Sequence, residues 1–297
     1  MTVTRPFRLM GILNVTPDSF SDGGRFLDAD AALARARALI DEGADILDVG
    51  GESTRPGAEP VAAEEELRRV LPVIEGIAGH VRADGAAGGC GGGRAVVVSI
   101  DTSKASVARA ALAAGAGIVN DVSAFRADPL MAGVVADSGA ECCLMHMLGE
   151  PRTMQSDPRY EDVVDDVRAF LEARLEFAVG EGVDEERIML DPGIGFGKTL
   201  EHNLELLRRL DELCALGRPL VIGTSRKSFI GRILASAAGE SEPVPPGRRL
   251  PGTIATNVLA LERGASVLRV HDVAAVGGAL AVAAATLGER WGTTRTS

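Results

Sequence analysis

The chain has 297 residues, a net charge of −11 and a pI of about 5.0, and this acidity argues against a nucleic-acid-binding protein and against one held on anionic lipid. The N-terminal stretch lacks an apolar signal segment with a small-residue cleavage site, and no run of about 18 apolar residues is free of charge. We therefore predict a cytoplasmic protein with no membrane partner and no nucleic-acid partner.

Short, nearly unalternated apolar runs recur along the chain, and each is typical of a parallel strand buried on both faces. In chain order they are FRLMGIL (7–13), ADILDVGG (44–51), AVVVSID (95–101), AGIVNDV (116–122), CCLMHM (142–147), RIMLDPG (187–193), LVIGTSR (220–226) and SVLRVHD (266–272). Longer stretches with helical periodicity lie between them. About eight such units predict an α/β fold, a (β/α)8 TIM barrel forming a single domain over residues 1–297, with a doubly wound open sheet as the alternative.

Two segments interrupt this alternation, and neither predicts a second domain. ADGAAGGCGGGR (83–94) is a Gly-rich surface insertion before the third strand, and GESEPVPPGRR (239–249) joins two parts of a split helical segment. Residues from about 290 form a C-terminal tail. The four cysteines have no CxxC spacing, which predicts reduced thiols rather than a zinc site or a disulfide framework.

Polar residues stand where the predicted strands end, and in a barrel these ends face the active site. Burying so many polar groups without partners would cost several kcal/mol each, so stability does not explain their recurrence. One chemical group has cations and an amide that can hold an anion: Asn14, Arg55, Arg269 and His271. The other has carboxylates and an amide beside a lysine: Asp101, Asn120, Asp191 and Lys227.

These two groups together indicate a transfer reaction. A carboxylate can recognise the amidine-like edge of a flat heterocycle through two parallel hydrogen bonds. An anion bound a few ångströms away would then be the leaving group. The sequence therefore predicts that a heterocyclic fragment is transferred away from a phosphate-type group.

Sequence blocks at every predicted strand resemble the signature blocks of the dihydropteroate synthase family. They are MGILNVTPDSFSDGG (10–24), GGESTRPGA (50–58), SIDTSK (99–104), NDVS (120–123), LMHM (144–147), LDPGIGFGKT (190–199), GTSRKSFIG (223–231) and RVHDV (269–273). The resemblance implies condensation of 6-hydroxymethyl-7,8-dihydropterin diphosphate with 4-aminobenzoate, giving 7,8-dihydropteroate and diphosphate. It also implies a barrel fold, a homodimer, a Mg²⁺ requirement and inhibition by sulfonamides, which mimic aminobenzoate.

The resemblance also assigns roles to individual residues. The pterin ring would be bound by Asp101, Asn120, Met145, Asp191, Lys227 and Arg269, with Met145 under the ring and Arg269 stacked on it. Diphosphate would be bound by Asn14, Thr54, Arg55, Arg269 and His271, with Asn14 also contacting Mg²⁺. The aminobenzoate pocket would be bounded by Phe20, Pro56, Lys227 and Ser228. Asp18 and Asp22 would lie in a first loop that closes over the site.

The reaction implied by this resemblance is SN1-like, with Asp101, Lys227, Arg269 and His271 as the catalytic residues. Asp101 would stabilise the cation that forms as diphosphate leaves, and no nucleophile–base pair is needed. Two other functions stay open. A methyltetrahydrofolate:corrinoid methyltransferase would share the pterin-reading acids but would not need the diphosphate residues. A non-catalytic pterin-binding paralogue would be expected to lose residues of the first two loops, yet Asn14, Asp22, Thr54 and Arg55 are present.

Overall fold

The computed structural model describes residues 5–16, 25–54, 57–86, 96–150 and 152–288. All the strands in this part of the chain run parallel: β1 Arg8–Asn14, β2 Ile46–Gly50, β3 Val97–Asp101, β4 Ile118–Asp121, β5 Glu141–Met145, β6 Ile188–Asp191, β7 Val221–Ile222 and β8 Val267–Val270. Each lies within one of the predicted apolar runs, allowing one residue at either end, and β7 is much shorter than its run.

Helices follow the strands and cover the outside of the sheet. They are α1 Arg25–Asp41, α2 Ala63–Ala86, α3 Ala105–Ala114, α4 Met131–Ser138, α5 Val163–Gly180, α6 Leu200–Arg208, α7 Leu210–Cys214, α8 Ser228–Ala238, α9 Leu250–Glu262 and α10 Val273–Thr286. Where α3 and α4 end, Gly115 and Gly139 adopt φ of 118° and 65°. Glycine adopts this left-handed conformation at little cost, so it ends a helix and turns the chain toward the next strand.

The sheet closes into a barrel. The eight strands are ordered β6-β5-β4-β3-β2-β1-β8-β7, and a parallel bridge between Leu190 and Leu220 joins the two outer strands. The N–H of Leu190 also donates to the carbonyl oxygen of Pro219 at 3.0 Å. This contact confirms the predicted (β/α)8 barrel, because the open doubly wound sheet would leave β6 and β7 unpaired at opposite edges.

Apolar side chains fill the lower part of the barrel interior. They come from seven of the strands: Met10, Ile46, Ile118, Cys143, Met189, Val221 and Val267. Residues two positions further along a strand point to the same face. The next interior layer is polar, and it includes Asp48, Ser99, Asn120, Asp191 and Arg269. The sequence thus gives the barrel an apolar floor and a polar upper layer.

The two predicted interruptions have different outcomes. Residues 83–86 belong to the end of α2, so the helix runs further than the predicted start of the insertion, and residues 87–94 lie outside the described part. Residues 239–249 do connect α8 and α9, with a short 3₁₀ turn at Pro246–Arg248. Cys142, Cys143 and Cys214 are free thiols, while Cys90 and the tail from 290 onward are not described. Among the described helices, none is long and apolar enough to cross a bilayer.

Candidate active site

The carboxyl ends of the parallel strands bring predicted residues from distant parts of the sequence to one rim. Asn14 is the last residue of β1, Asp101 of β3 and Asp191 of β6, while Asn120 lies one residue before the end of β4. All strands run in the same direction, so these ends share one face of the barrel, where (β/α)8 enzymes place their active sites.

An arginine and two carboxylates form the centre of this polar layer. The Nε of Arg269 donates to Asp48 Oδ2 at 2.6 Å, and its Nη2 donates to Asp101 Oδ2 at 2.7 Å. The pKa of Arg269 would be lowered by burial, but Asp48 and Asp101 raise it above its usual value. The guanidinium is therefore held charged and in one orientation, with only a fifth of its side chain exposed.

Asp48 is a residue of the candidate site that the sequence pattern did not reveal. Its Oδ2 accepts from both Arg269 and Asn120 Nδ2, the latter at 3.1 Å, and its Oδ1 accepts from Ser99 Oγ at 2.6 Å. A search for polar strand ends overlooks it because it lies in the middle of β2. A signal was present, since an acid within a buried strand, in register with Ser99, has to find partners inside the barrel.

The charge state of Asp101 depends on its burial. Burial raises the pKa of Asp101 to about 7, although the Arg269 guanidinium acts in the opposite direction. The nearby carboxylates Asp48, Glu66 and Asp121 raise this pKa further. A carboxylate that is costly to ionise interacts strongly with any positive charge that forms beside it.

Lys227 extends into the same layer from the residue before α8. Its Nζ donates to the carbonyl oxygen of Ile194 and lies 4.6 Å from the centre of the Phe196 ring. Burial lowers the pKa of Lys227 to about 8, with Asp191 opposing the shift. Burial likewise raises the pKa of Asp191, whose Oδ1 accepts from Gly193 N–H at 2.7 Å. Lys227 and Asp191 are thus close enough to affect each other's ionisation.

An unusual backbone conformation places Lys227. The preceding residue, Arg226, has φ of 59°, which is strained for a residue with a side chain. Its N–H donates to Thr253 Oγ1 at 3.1 Å, and its guanidinium forms an ion pair with Asp272. These contacts hold the strained turn, which directs the next side chain over the barrel.

His271 lies just beyond the end of β8. Its Nδ1 is 2.9 Å from Ser225 Oγ, and its N–H donates to the same hydroxyl at 3.2 Å. Ser225 therefore fixes the position of the imidazole from the turn that also carries Lys227. Asp121 and Asp272, each one residue after a predicted site residue, have other partners: Asp121 accepts from the N–H groups of Ser123 and Phe125, and Asp272 forms an ion pair with Arg226.

Other predicted residues lie at the margin of the site or outside the described part. Asn14 and Thr54 are half-buried, Ser228 is exposed at the start of α8, and Met145 is buried in a small apolar cluster against which Phe196 packs. The predictions for the first two loops lie outside the described residues, namely those for Asp18, Phe20, Asp22, Arg55 and Pro56. The structure thus brings Asp101, Asn120 and Arg269 into one hydrogen-bonded group with Asp48, whereas the loop residues stay predictions.

No cluster of three or more His, Cys, Asp or Glu side chains that could hold a metal ion occurs within the described ranges. Magnesium, however, commonly takes only one or two protein oxygens and completes its shell with water and substrate phosphates. The amide oxygen of Asn14 at the end of β1 is a hard ligand of this kind. The donor set therefore fits a magnesium ion that is bound together with a phosphate-bearing substrate.

The closed barrel and its polar rim define a (β/α)8 protein with buried carboxylate, amide and cationic side chains gathered at the carboxyl ends of its strands. The model of the family described as "Pterin binding enzyme" matches residues 10–271. The dihydropteroate synthase of Mycobacterium leprae is 48% identical over 284 residues, which cover 95% of this chain and 94% of that protein. The chain belongs to the pterin binding enzymes, in the dihydropteroate synthase family.

Solved structures of family members agree with this fold. Dihydropteroate synthase from Xanthomonas albilineans with 4-aminobenzoic acid has a TM-score of 0.82 and 47% identity, covering 95% of this chain and 93% of that chain. The same enzyme in complex with 7,8-dihydropteroate has a TM-score of 0.78 and 44% identity, covering 97% and 95%.

Proposed function

We propose that this chain is a transferase that condenses 6-hydroxymethyl-7,8-dihydropterin diphosphate with 4-aminobenzoate, giving 7,8-dihydropteroate and diphosphate. The observation that carries the proposal is the bonding of Arg269 to Asp48 and Asp101, with Asn120 on the same Asp48 oxygen. Nearly full-length identity of 48% to a dihydropteroate synthase supports it. The same 48% identity favours this reaction over the methyltransferase and the non-catalytic paralogue.

In this proposal the pterin ring lies on the polar layer of the barrel. Asp191 and Asn120 read its hydrogen-bonding edge, and Lys227 donates to a ring acceptor on the same side. Arg269, held flat by two carboxylates, stacks on one face, and Met145 packs against the other. A planar ring between a guanidinium and an apolar side chain is a stable arrangement, because guanidinium groups stack well on aromatic faces.

The chemical step needs charge stabilisation more than a strong base. As the C–O bond to diphosphate breaks, its electron pair leaves with diphosphate, and the electron-rich dihydropterin delocalises the positive charge. Asp101 stabilises this cation in its ionised form. The amine nitrogen of 4-aminobenzoate then forms the new C–N bond and releases its proton to solvent.

The departing diphosphate is bound by Asn14, Thr54, Arg55, Arg269 and His271 in this scheme. Ser225 orients the His271 ring toward this task. Asn14 would hold a Mg²⁺ ion, which would supply charge neutralisation for the leaving group. Phe20, Pro56, Lys227 and Ser228 would bound the aminobenzoate pocket, and Asp18 and Asp22 would close the first loop over it. A homodimer in the cytoplasm is part of the same proposal.

An assay of diphosphate release with and without 4-aminobenzoate tests the function. We expect stoichiometric diphosphate and 7,8-dihydropteroate when both substrates are present. A binding paralogue would bind the pterin and release nothing, and a methyltransferase would be indifferent to 4-aminobenzoate. Failure to form dihydropteroate with folded enzyme and both substrates would overturn the proposal.

A calorimetric titration tests the metal requirement. We expect pterin diphosphate to bind at least tenfold more weakly without Mg²⁺, since several diphosphate charges would then be unneutralised. 6-Hydroxymethylpterin, which has the ring but no diphosphate, should bind equally well in both conditions. Equal affinity of pterin diphosphate with and without the ion would contradict the assignment of Mg²⁺ to the diphosphate.

A further inference from the structure

Lys198 is a buried lysine that the scheme above does not use. It closes the glycine-rich loop between β6 and α6, and only 3% of it is exposed. Its Nζ lies 2.8 Å from His146 Nδ1 and donates to the carbonyl oxygen of Phe196 at 3.0 Å. A buried ammonium or amine is costly unless it is hydrogen-bonded, and these two contacts provide Lys198 with partners.

Its two partners lie on different segments that meet at the rim. His146 directly follows β5, and Phe196 lies in the loop after β6. The segments are packed backbone to backbone, because a side chain at Gly193 would place its Cβ 1.8 Å from the His146 carbonyl oxygen. On the outer side, Tyr160 Oη donates to the Gly197 carbonyl oxygen at 2.7 Å. Lys198 therefore links the glycine-rich loop to the residue after β5 through buried hydrogen bonds.

The glycine-rich loop held in this way contacts the side chain of Lys227. The Ile194 carbonyl oxygen accepts from Lys227 Nζ, and the centre of the Phe196 ring lies 4.6 Å from the same nitrogen. Lys198 bonds the backbone of Phe196 itself. The contacts therefore run from His146 to Lys198, from Lys198 to Phe196, and from Phe196 to Lys227.

We propose that Lys198, anchored on His146, is a positioning residue that sets the place of Lys227 for pterin binding. The proposal rests on the function above, because it gives Lys227 its ligand. Lys198 itself does not contact the substrate. Its effect passes through the loop that supplies a carbonyl oxygen and an aromatic ring to Lys227.

The protonation of the pair suits this role. Burial lowers the pKa of His146 to about 2, and Lys198 and Arg126 contribute to the same shift, so the imidazole is neutral. A neutral imidazole with its proton on Nε2 presents Nδ1 as an acceptor to Lys198. Burial also lowers the pKa of Lys198 well below its usual value, while Asp191 acts in the opposite direction. Either form of Lys198 can donate to both partners.

A double-mutant cycle between Lys198→Met and Lys227→Met tests the proposal, with 6-hydroxymethylpterin as the calorimetric probe. We expect Lys198→Met to weaken binding up to about tenfold, because a displaced Lys227 would lose its hydrogen bond to the ring. Lys227→Met should weaken it more, because it removes a charged hydrogen-bond donor. The double variant should bind no worse than Lys227→Met alone, since Lys198 acts only through Lys227.

Lys104→Met is the matched control. Lys104 is a partly buried lysine with a quarter of its side chain exposed, and it pairs with Glu52 and Glu66 rather than with the glycine-rich loop. Its effect, whatever its size, should add to that of Lys227→Met. Additivity for Lys198→Met as well would overturn the positioning role.

The His146 variants keep the test valid if Lys198→Met does not fold. His146→Gln retains an acceptor for Lys198 and should keep the probe affinity within about twofold, whereas His146→Leu should lose about tenfold. If His146 had a purely structural role, His146→Leu would have a lower melting temperature, but its folded fraction would bind the probe with unchanged affinity. This result would also overturn the proposal. If the unsubstituted chain does not bind 6-hydroxymethylpterin, the proposed function itself fails instead.

Discussion

The Arg269 guanidinium bridges Asp48 of β2 and Asp101 of β3, with donor–acceptor distances of 2.6 and 2.7 Å. The arginine belongs to β8, which is separated from β2 by β1 in the sheet. The bridge therefore spans the inside of the barrel above its apolar floor. The Asp48 side chain is fully buried, and Asp101 keeps a pKa of about 7 even with the arginine beside it.

Replacement of Asp101 by Asn removes the charge that would stabilise the cation. We expect the single-turnover rate of diphosphate release to fall at least a hundredfold, the usual order for a preorganised electrostatic group. The affinity for inorganic diphosphate should change much less. Weaker diphosphate binding with an unchanged chemical step would contradict the role assigned to Asp101.

The pH dependence gives a second measurement on Asp101. Burial raises its pKa to about 7, so the carboxylate becomes protonated as the pH falls through this value. Only the ionised form stabilises a cation, and kcat/KM of the free enzyme should therefore decline below about pH 7. If the decline below pH 7 reports the protonation of Asp101, it should be absent in Asp101→Asn and present in Ser228→Ala.

Replacement of Asp48 by Asn tests the support of the ring-binding layer. Asp48 accepts from Ser99, Asn120 and Arg269, and loss of its charge should cost about 1–3 kcal/mol in the free energy of unfolding. Binding of 6-hydroxymethylpterin should also weaken, because Asn120 and Arg269 lose their common acceptor. Asp45→Asn is the control. The Asp45 carboxylate accepts from Leu9 N–H just before the start of β2, away from the carboxyl ends of the strands, so pterin affinity should be unchanged.

Substitution of Gly193 by Ala tests the contact between the glycine-rich loop and the end of β5. The new Cβ would lie 1.8 Å from the His146 carbonyl oxygen, so the loop has to move away from the strand. Gly139 is the control, because it has a similar φ of 65° but a Cβ added there would meet no atom within 4 Å. Gly139→Ala should therefore lower the free energy of unfolding by only about 1–2 kcal/mol, for the left-handed backbone. Urea unfolding should show a larger loss for Gly193→Ala, together with weaker pterin binding.

Replacement of Ser225 by Ala removes the hydroxyl that fixes His271. We expect the KM for pterin diphosphate to rise roughly fivefold, as for loss of one hydrogen bond, while the affinity for 6-hydroxymethylpterin stays the same. Ser266→Ala is a matched control, because the Ser266 hydroxyl is buried and bonds to no other described residue. Equal effects of the two substitutions would exclude a specific role for Ser225 in diphosphate binding.

The amino-acid sequence by itself determined the barrel and predicted which strand ends carry polar residues. Buried parallel strands require continuous apolar runs, and all eight strands coincide with the predicted ones. Polar residues at the ends of such runs are costly to bury unless they bind each other or a ligand, so Asp101, Asn120, Asp191 and Lys227 could be predicted as one group, with Arg269 in a second group beside it. Residue spacing along a strand also fixes which side chains face inward.

Only the tertiary structure decided which of these polar groups are partners. Arg269 and Asp48 are 221 residues apart in sequence, and their contact depends on how β8 closes against β1. The same holds for Lys198 and His146, whose contact follows from the packing of two loops rather than from any pattern of residues. Spacing along a strand specifies a direction, but the distance between two side chains across a barrel is set by strand order and loop packing.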